Sequence, residues 1–434
     1  MKTTRHRLGV AFFAALPLLA LTACGSPSEP AADGSATLAL LIDNNESTVN
    51  AAKSVVEAFQ AANPKIKIQT ETRPPGGEGD NIVKTRLSTG EMSDVFWYNS
   101  GSLLQALNPA QTMVDLTGDP VLKNVQESFL PVVTQGGKVY GVPAGTATGG
   151  GILYNRKVYE KLGLQVPKSW AEFTANNDKI KAAGITPVIS TFKDTWTSQL
   201  FVLADFFNVQ AAVPGFAQDY TANKAKYATT PAALTGFKRL EEVHAKGYLN
   251  KGFGSANLDA GIKLLAEGTG VHYPLLTASL PGFVDKFPQV TTDIGYFGVP
   301  GDDAAKNGAT VWEPGGAYIA KTTKNVAAAK TFLAFIASPE GAAAWAKGTP
   351  PSGPFRIKGY QLPDDAIQVA KDLQGYIDKN ESAPALEFVS PVKGPSLEQI
   401  TVAVGSGLTT AAEGAAQYDK DVEKQAKQLG LAGW

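Results

Sequence analysis

The chain has 434 residues, 44% of them hydrophobic and 18% charged, with 39 basic side chains against 40 acidic. That length exceeds one ordinary core and predicts two or three domains, while the apolar content is that of a folded chain and not of a disordered one. The near balance of charge removes the electrostatic basis for nucleic-acid binding. Three histidines, one of them His6 near the start, speak against a multi-histidine metal centre, and a single cysteine, Cys24, leaves no partner for an intrachain disulfide.

The N-terminal segment carries the first motif. Lys2, Arg5 and Arg7 precede the apolar run Leu8–Leu21, which contains Pro17. A spanning helix needs about 20 apolar residues, so the run reads as the hydrophobic part of a signal peptide over 1–23. Leu21-Thr22-Ala23-Cys24 resembles a bacterial lipobox, in which the cysteine receives a lipid before cleavage ahead of it; a plain secretory signal with a chance cysteine is the alternative. Several acyl chains, at about 0.8 kcal/mol per buried CH₂, would hold Cys24 on a membrane. Residues 24–36, rich in Gly, Ser, Pro and Ala, read as a flexible tether. The folded part is thus expected outside the cytoplasm, at the outer face of the cell membrane.

Beyond the tether, Thr37–Ile42 is an apolar run suited to a buried strand, and Ser47 stands where an N-cap belongs, ahead of the helical stripe Val49, Ala52, Val55, Val56, Phe59. Pro64 stops that helix; Lys65–Thr72 alternates like a strand, Asn81–Leu87 is helical, and Asp94–Tyr98 is again a buried strand. Strand, helix, strand, helix, strand at this spacing predicts a parallel α/β sheet. Gly149-Gly150-Gly151 lacks the strand-to-helix context of a dinucleotide site and marks a close backbone crossing. Ser169-Trp170-Ala171-Glu172 is a capping box opening a helix to about Ala183, followed by a strand at Ile185–Ser190 and a helix from about Asp194 to Phe207. Thr230-Pro231 starts a helix ending near Gly247, and a strand at Gly270–His272 is stopped by Pro274. Further helices are expected at Leu258–Glu267, Val326–Ala337, Pro339–Lys347, Asp364–Lys379 and Leu397–Leu429, the last interrupted near Gly405–Thr410. Two α/β sheets with separate helical cladding fit this better than one large sheet.

Catalytic motifs are missing: the sequence contains no G-x-S-x-G elbow, no phosphate loop and no H-E-x-x-H. What stands out is aromatic residues in polar loops after predicted strands, where ligand crevices of α/β sheets lie. Trp97 and the following Asn99, Ser100 and Ser102 offer a ring, an amide and two hydroxyls, groups suited to a hydroxyl-rich ligand; Ser100 or Ser102 as a helix cap and Trp97 as core are equally open. Trp196 is either a core anchor or a flat platform for a sugar ring. Trp312 and Glu313, before Gly315 and Gly316, would stack and accept hydrogen bonds, with packing across a domain boundary as the other reading. Asn44 and Glu46 end the first strand in what is otherwise an ordinary Asx-rich turn, and Tyr273 is equally a rim or a core residue.

Taken together, these motifs resemble the extracellular solute-binding lipoproteins of ABC importers, in their family 1, carbohydrate-binding group. The resemblance rests on Asp94–Thr117 (DVFWYNSGSLLQALNPAQTMVDLT), on Val139–Phe173 with its ILYNRKVYEKLGL core, and on Glu313–Trp345. It implies a two-lobed, periplasmic-binding-protein-like α/β fold, each lobe a sheet clad by helices, with the ligand cleft between them. By its pattern, one lobe spans 37–147 plus 305–346 and the other 148–304 plus 347–434, with crossings near Thr146–Gly151, Val299–Thr310 and Trp345–Pro350. It also implies a monomeric, non-enzymatic receptor with no cofactor and no metal, partnered by a sugar or oligosaccharide, by membrane permease subunits, and by the membrane through lipid on Cys24. Its binding loops fall on Asn44–Glu46, Asn99–Ser102, the segment around Trp196, Tyr273, and Trp312–Glu313. The alternatives are a receptor of the same class for a polyamine or a glycerol phosphodiester, and a surface lipoprotein that hydrolyses polysaccharide. The absence of a Lys or Arg cluster on these loops favours a neutral solute.

Overall fold

The computed structural model describes residues 34–434. The signal peptide, the lipobox with Cys24 and most of the tether lie outside the described residues. Two sheets organise the rest. The first has the strand order Ile66–Arg73, Ala36–Asp43, Val95–Tyr98, Gly315–Ile319, Gly141–Ala144. Its first three strands run parallel, as their alternation with helices Glu46–Ala62 and Gly76–Thr89 requires. Strand Gly315–Ile319, added when the chain returns from the other sheet, runs antiparallel to both its neighbours. The second sheet is built around strand Thr148–Asn155, which pairs antiparallel with Gly270–Leu276, Ile294–Phe297 and Ala309–Trp312; short strands Thr186–Val188 and Ser382–Pro384 finish its edges.

Each sheet has its own apolar core. Leu38, Leu40, Val95 and Phe96 of the first sheet pack with Phe59 and Phe332 of the covering helices. Helices beside the second sheet enclose an aromatic-rich cluster, in which Phe216, Tyr220, Tyr227 and Tyr418 meet with centroids 5.2–5.6 Å apart. Among the described residues, no helix is long and apolar enough to cross a membrane.

Several local expectations shift. The first helix starts at Glu46 behind Asn45, not behind Ser47, and Asn45 provides no side-chain cap. The second spans Gly76–Thr89, one and a half turns earlier than the pattern Asn81–Leu87. In place of one helix over 194–207 there are a 3₁₀ turn, Thr195–Gln199, and two short helices, Leu200–Leu203 and Phe206–Ala212. Strand Gly270–Leu276 runs through Pro274. Its outer neighbour pairs only as far as His272, so proline sits where no ladder donor is needed.

The chain passes between the sheets after Ala144, after Trp312, and after helix Pro339–Gly348. The second passage comes later than Val299–Thr310, since Thr310, Val311 and Trp312 pair with Gly150, Gly149 and Thr148 of the second sheet. The three glycines lie within that central strand. A Cβ at Gly150 would fall 2.1 Å from the Trp312 ring, and one at Gly149 2.7 Å from that of Tyr296, so two large aromatics occupy the space side chains would need.

His272 is fully buried in the second sheet, its Nδ1 2.7 Å from Asn177 Oδ1 and its Nε2 2.6 Å from the Tyr159 hydroxyl. Burial holds its pKa down to about 3, so the ring is neutral in the folded chain. Below the ordinary value near 6.5 the unfolded chain takes up a proton that the folded one refuses, and this contribution to stability falls as pH drops, by about 1.4 kcal/mol per unit until pH nears 3. Urea unfolding at pH 7 and pH 5 is therefore expected to show about 2 kcal/mol less acid loss in His272→Gln than in the wild type. Equal losses in the two proteins would refute this assignment.

Candidate functional site

A cavity of ≈ 350 Å³ opens between the sheets, at the C-terminal ends of the three parallel strands. Asp43 ends the first strand, and its Oδ1 accepts the N–H of Asn45 at 3.0 Å, which bends the loop into the start of helix Glu46–Ala62. Asn45, Ser47 and Thr48 of that turn line the cavity. Arg73 ends the second strand; Trp97 and Tyr98 end the third, with Asn99 just beyond. The first crossing contributes Gly145, Thr146 and Thr148, and the far side contributes Ala278 and Pro281. Behind Trp97 stands Trp345, near the end of helix Pro339–Gly348. The two indoles stack with centroids 4.9 Å apart and planes 26° from parallel. Gly145 passes the same ring at φ +114, where a Cβ would lie 3.3 Å from it.

Three buried donors on this wall have no protein partner: Arg73 Nε, Trp97 Nε1 and the Tyr98 hydroxyl. Burial, then the nearby Asp80 carboxylate, pushes the Tyr98 phenol far above its ordinary value, so it keeps its proton. The wall therefore combines flat apolar faces with unused hydrogen-bond donors, the makeup of a small-solute pocket. Among the described residues, no cluster of His, Cys, Asp and Glu is placed to hold a metal ion.

Of the residues singled out in the sequence, Trp97 and Asn99 line the cavity. Asn44 and Glu46 point to solvent, and their loop neighbours Asp43 and Asn45 face the cavity instead. Ser100 is buried and donates to the Pro314 carbonyl at 2.8 Å, tying its loop to the second crossing. Ser102 does not cap its helix; Gly101 holds that position, and Ser102 lies in a separate groove against the segment 387–391. Trp196 is wedged between the two apolar clusters of the second sheet. Tyr273 is core, 1% exposed, with its hydroxyl 2.5 Å from Thr191 Oγ1. Trp312 lies over Gly150, beside the cavity but not on its lining. Glu313 is engaged: both its oxygens accept from Arg356, at 2.6 and 2.7 Å, and both side chains are 8% exposed.

Arg73, Tyr98 and Trp345 escaped the sequence reading. Arg73 and Tyr98 had a usable signal, since each ends a strand on the same sheet edge as Trp97. Trp345 lies some 250 residues away in an alanine-rich helix, where nothing local marks it as a cavity residue.

Two α/β lobes with a crevice at the strand ends, traversed by the chain several times, define a cleft-binding receptor. The chain belongs to the family of bacterial extracellular solute-binding proteins, whose pattern matches residues 45–343. That is a family of solute receptors and not of enzymes. The chain is 26% identical over 294 residues to the multiple sugar-binding protein of Streptococcus mutans, covering 65% of this chain and 67% of that one. It is 23% identical over 365 residues to the melibiose/raffinose/stachyose-binding protein MelE of Bacillus subtilis, covering 80% and 81%. In fold it resembles the solute-binding protein RafE solved with raffinose, at TM-score 0.73 and 23% identity, covering 91% of this chain and 99% of that one. It also resembles a chitin oligosaccharide binding protein, at TM-score 0.72 and 19% identity, covering 90% and 100%.

The Glu313–Arg356 pair joins the second crossing to the segment that follows the third. Removing one partner leaves the other charge buried and alone, so Arg356→Met is expected to cost about 3–5 kcal/mol in urea unfolding. The double replacement Glu313→Met/Arg356→Met should cost clearly less. Equal costs would show that the pair is not the operative contact.

Proposed function

We propose that this chain is the lipid-anchored receptor of an ABC importer, taking a sugar or oligosaccharide into the cavity between its lobes and delivering it to a membrane permease. The observation that carries the reading is the stacked Trp97–Trp345 pair set beside unpartnered donors on one cavity wall. Sugar rings have an apolar C–H face that packs on indole and a rim of oxygens that accept hydrogen bonds. The sugar-binding names of relatives in the same family support the choice. Trp345 and Trp97 would present ring faces, while Asn45 and Asn99 on the lining would hold hydroxyls. With one lobe supplying most of the lining and the other Thr148, Ala278, Pro281 and the stretch from Thr349 to Ser352, closure would complete the site, and solute would shift the population toward the closed form. The lobes would be 34–144 with 315–348, and 148–312 with the C-terminal remainder. Lipid on Cys24 would keep the receptor at the outer face of the cell membrane, near its permease.

Calorimetric titration of the purified protein with raffinose, stachyose and chitin oligosaccharides tests the reading. One-to-one binding is expected, weakened roughly tenfold or more by Trp345→Ala and largely kept by Trp345→Phe, with thermal melting as the folding control. Binding untouched by Trp345→Ala would move the site elsewhere, and absence of binding to any saccharide would end the carbohydrate reading. Anchoring is tested separately: Cys24→Ser should shift the protein from the membrane fraction to the aqueous one.

A further inference from the structure

Arg73 is the one cation on the cavity lining among the described residues, and although Asp43 lines the same cavity, no ion pair ties the guanidinium to a carboxylate. Its side chain is 5% exposed. Nη1 donates to the carbonyl of its own neighbour Pro74 at 3.1 Å, Nε has no partner, and the Tyr98 ring centre lies 5.4 Å from the guanidinium carbon. Two carboxylates stand nearby without pairing with it: Asp43 accepts from Asn45, and Asp80 sits beside the Tyr98 hydroxyl. A buried, unpaired guanidinium is costly, and a cation–π contact offsets only part of that cost.

The same corner carries a second source of positive potential. Helix Gly76–Thr89, 14 residues long, opens there; its N-cap Pro75 supplies no capping side chain, and Pro75 and Gly76 line the cavity. Free N–H groups of a first turn favour an anion. Gly79, in that turn, leaves room for the guanidinium, since a Cβ there would lie 2.5 Å from Arg73 Nη1. Trp97 Nε1, the other unpartnered group of this wall that no carboxylate faces, is also a donor. An ordinary sugar hydroxyl brings a donor with every acceptor, whereas a carboxylate or phosphate brings acceptors only.

We propose that the solute carries an anionic oxygen group, a carboxylate or phosphate on a sugar or polyol, and that Arg73 with the first-turn amides of helix Gly76–Thr89 receives it. This rests on the solute-receptor reading above and narrows its substrate class, in place of the neutral solute that the loop composition favours.

The test titrates the purified protein with matched probes: galacturonate and tri-galacturonate for a carboxylate, galactose 6-phosphate and glycerol 3-phosphate for a phosphate, and galactose and raffinose as neutral partners. At least one anionic probe is expected to bind ten times or more tightly than its neutral partner, with affinity falling as salt rises. Arg73→Met should abolish that preference and Arg73→Lys restore part of it, while thermal melting confirms that both variants fold. The carboxylate and phosphate arms tell the two sources apart. Neutral saccharide bound as tightly as any anionic probe, and unaffected by Arg73→Met, would overturn the inference and leave the receptor reading intact. No binding of any probe would overturn both.

Discussion

The first sheet cannot close on its own stretch of sequence. Strand Gly315–Ile319 sits between Val95–Tyr98 and Gly141–Ala144, and it arrives only after the chain has built most of the second sheet. Its pairing with Val95–Tyr98 fixes the edge from which Trp97 and Tyr98 face the cavity, so the wall of the site depends on a contact spanning some 220 residues. The same return brings Pro314 to the Ser100 hydroxyl and Glu313 to Arg356. Fold and site are thus one construction: the segments that complete the sheets are also the segments between which a ligand would rest.

That construction explains how the polar residues divide. Those at the crossings satisfy one another, as Ser100 does with Pro314, Glu313 with Arg356, and Thr146 with Ser352 at 3.0 Å. Those at the ends of the parallel strands do not; Arg73 Nε, Trp97 Nε1 and the Tyr98 hydroxyl keep unused donors. Joints between lobes require rigid, fully paired groups, whereas a recognition surface requires capacity held in reserve for a partner.

Backbone economy at the joints follows the same logic. Gly145 takes a left-handed conformation against the Trp345 ring, and Gly149 and Gly150 yield their side-chain space to Tyr296 and Trp312. Large aromatics are thereby carried close to the crossing without lining the cavity, which is why Trp312 is a packing residue beside the site and Trp345 part of its wall.

Sequence by itself determined the class of the molecule. Hydrophobic periodicity and caps located the alternating strands and helices, and the loop after Val95–Tyr98 was legible as a ligand-facing edge because strand ends in parallel sheets converge there. Those signals are local, spanning one or two turns of chain. Which aromatic faces the cavity, which packs, and which acid is already paired were decided by tertiary structure alone. Tyr273 and Trp196 carry the same loop context as Trp97, yet Tyr273 is buried in the core and Trp196, still partly exposed, packs against two apolar clusters, while Glu313 is claimed by an arginine 43 residues on. Trp345 and the unpaired guanidinium of Arg73 became visible only when separate crossings brought distant segments to one wall. A side chain's unused capacity depends on its neighbours in space, and those are set by the crossings and not by adjacency in sequence.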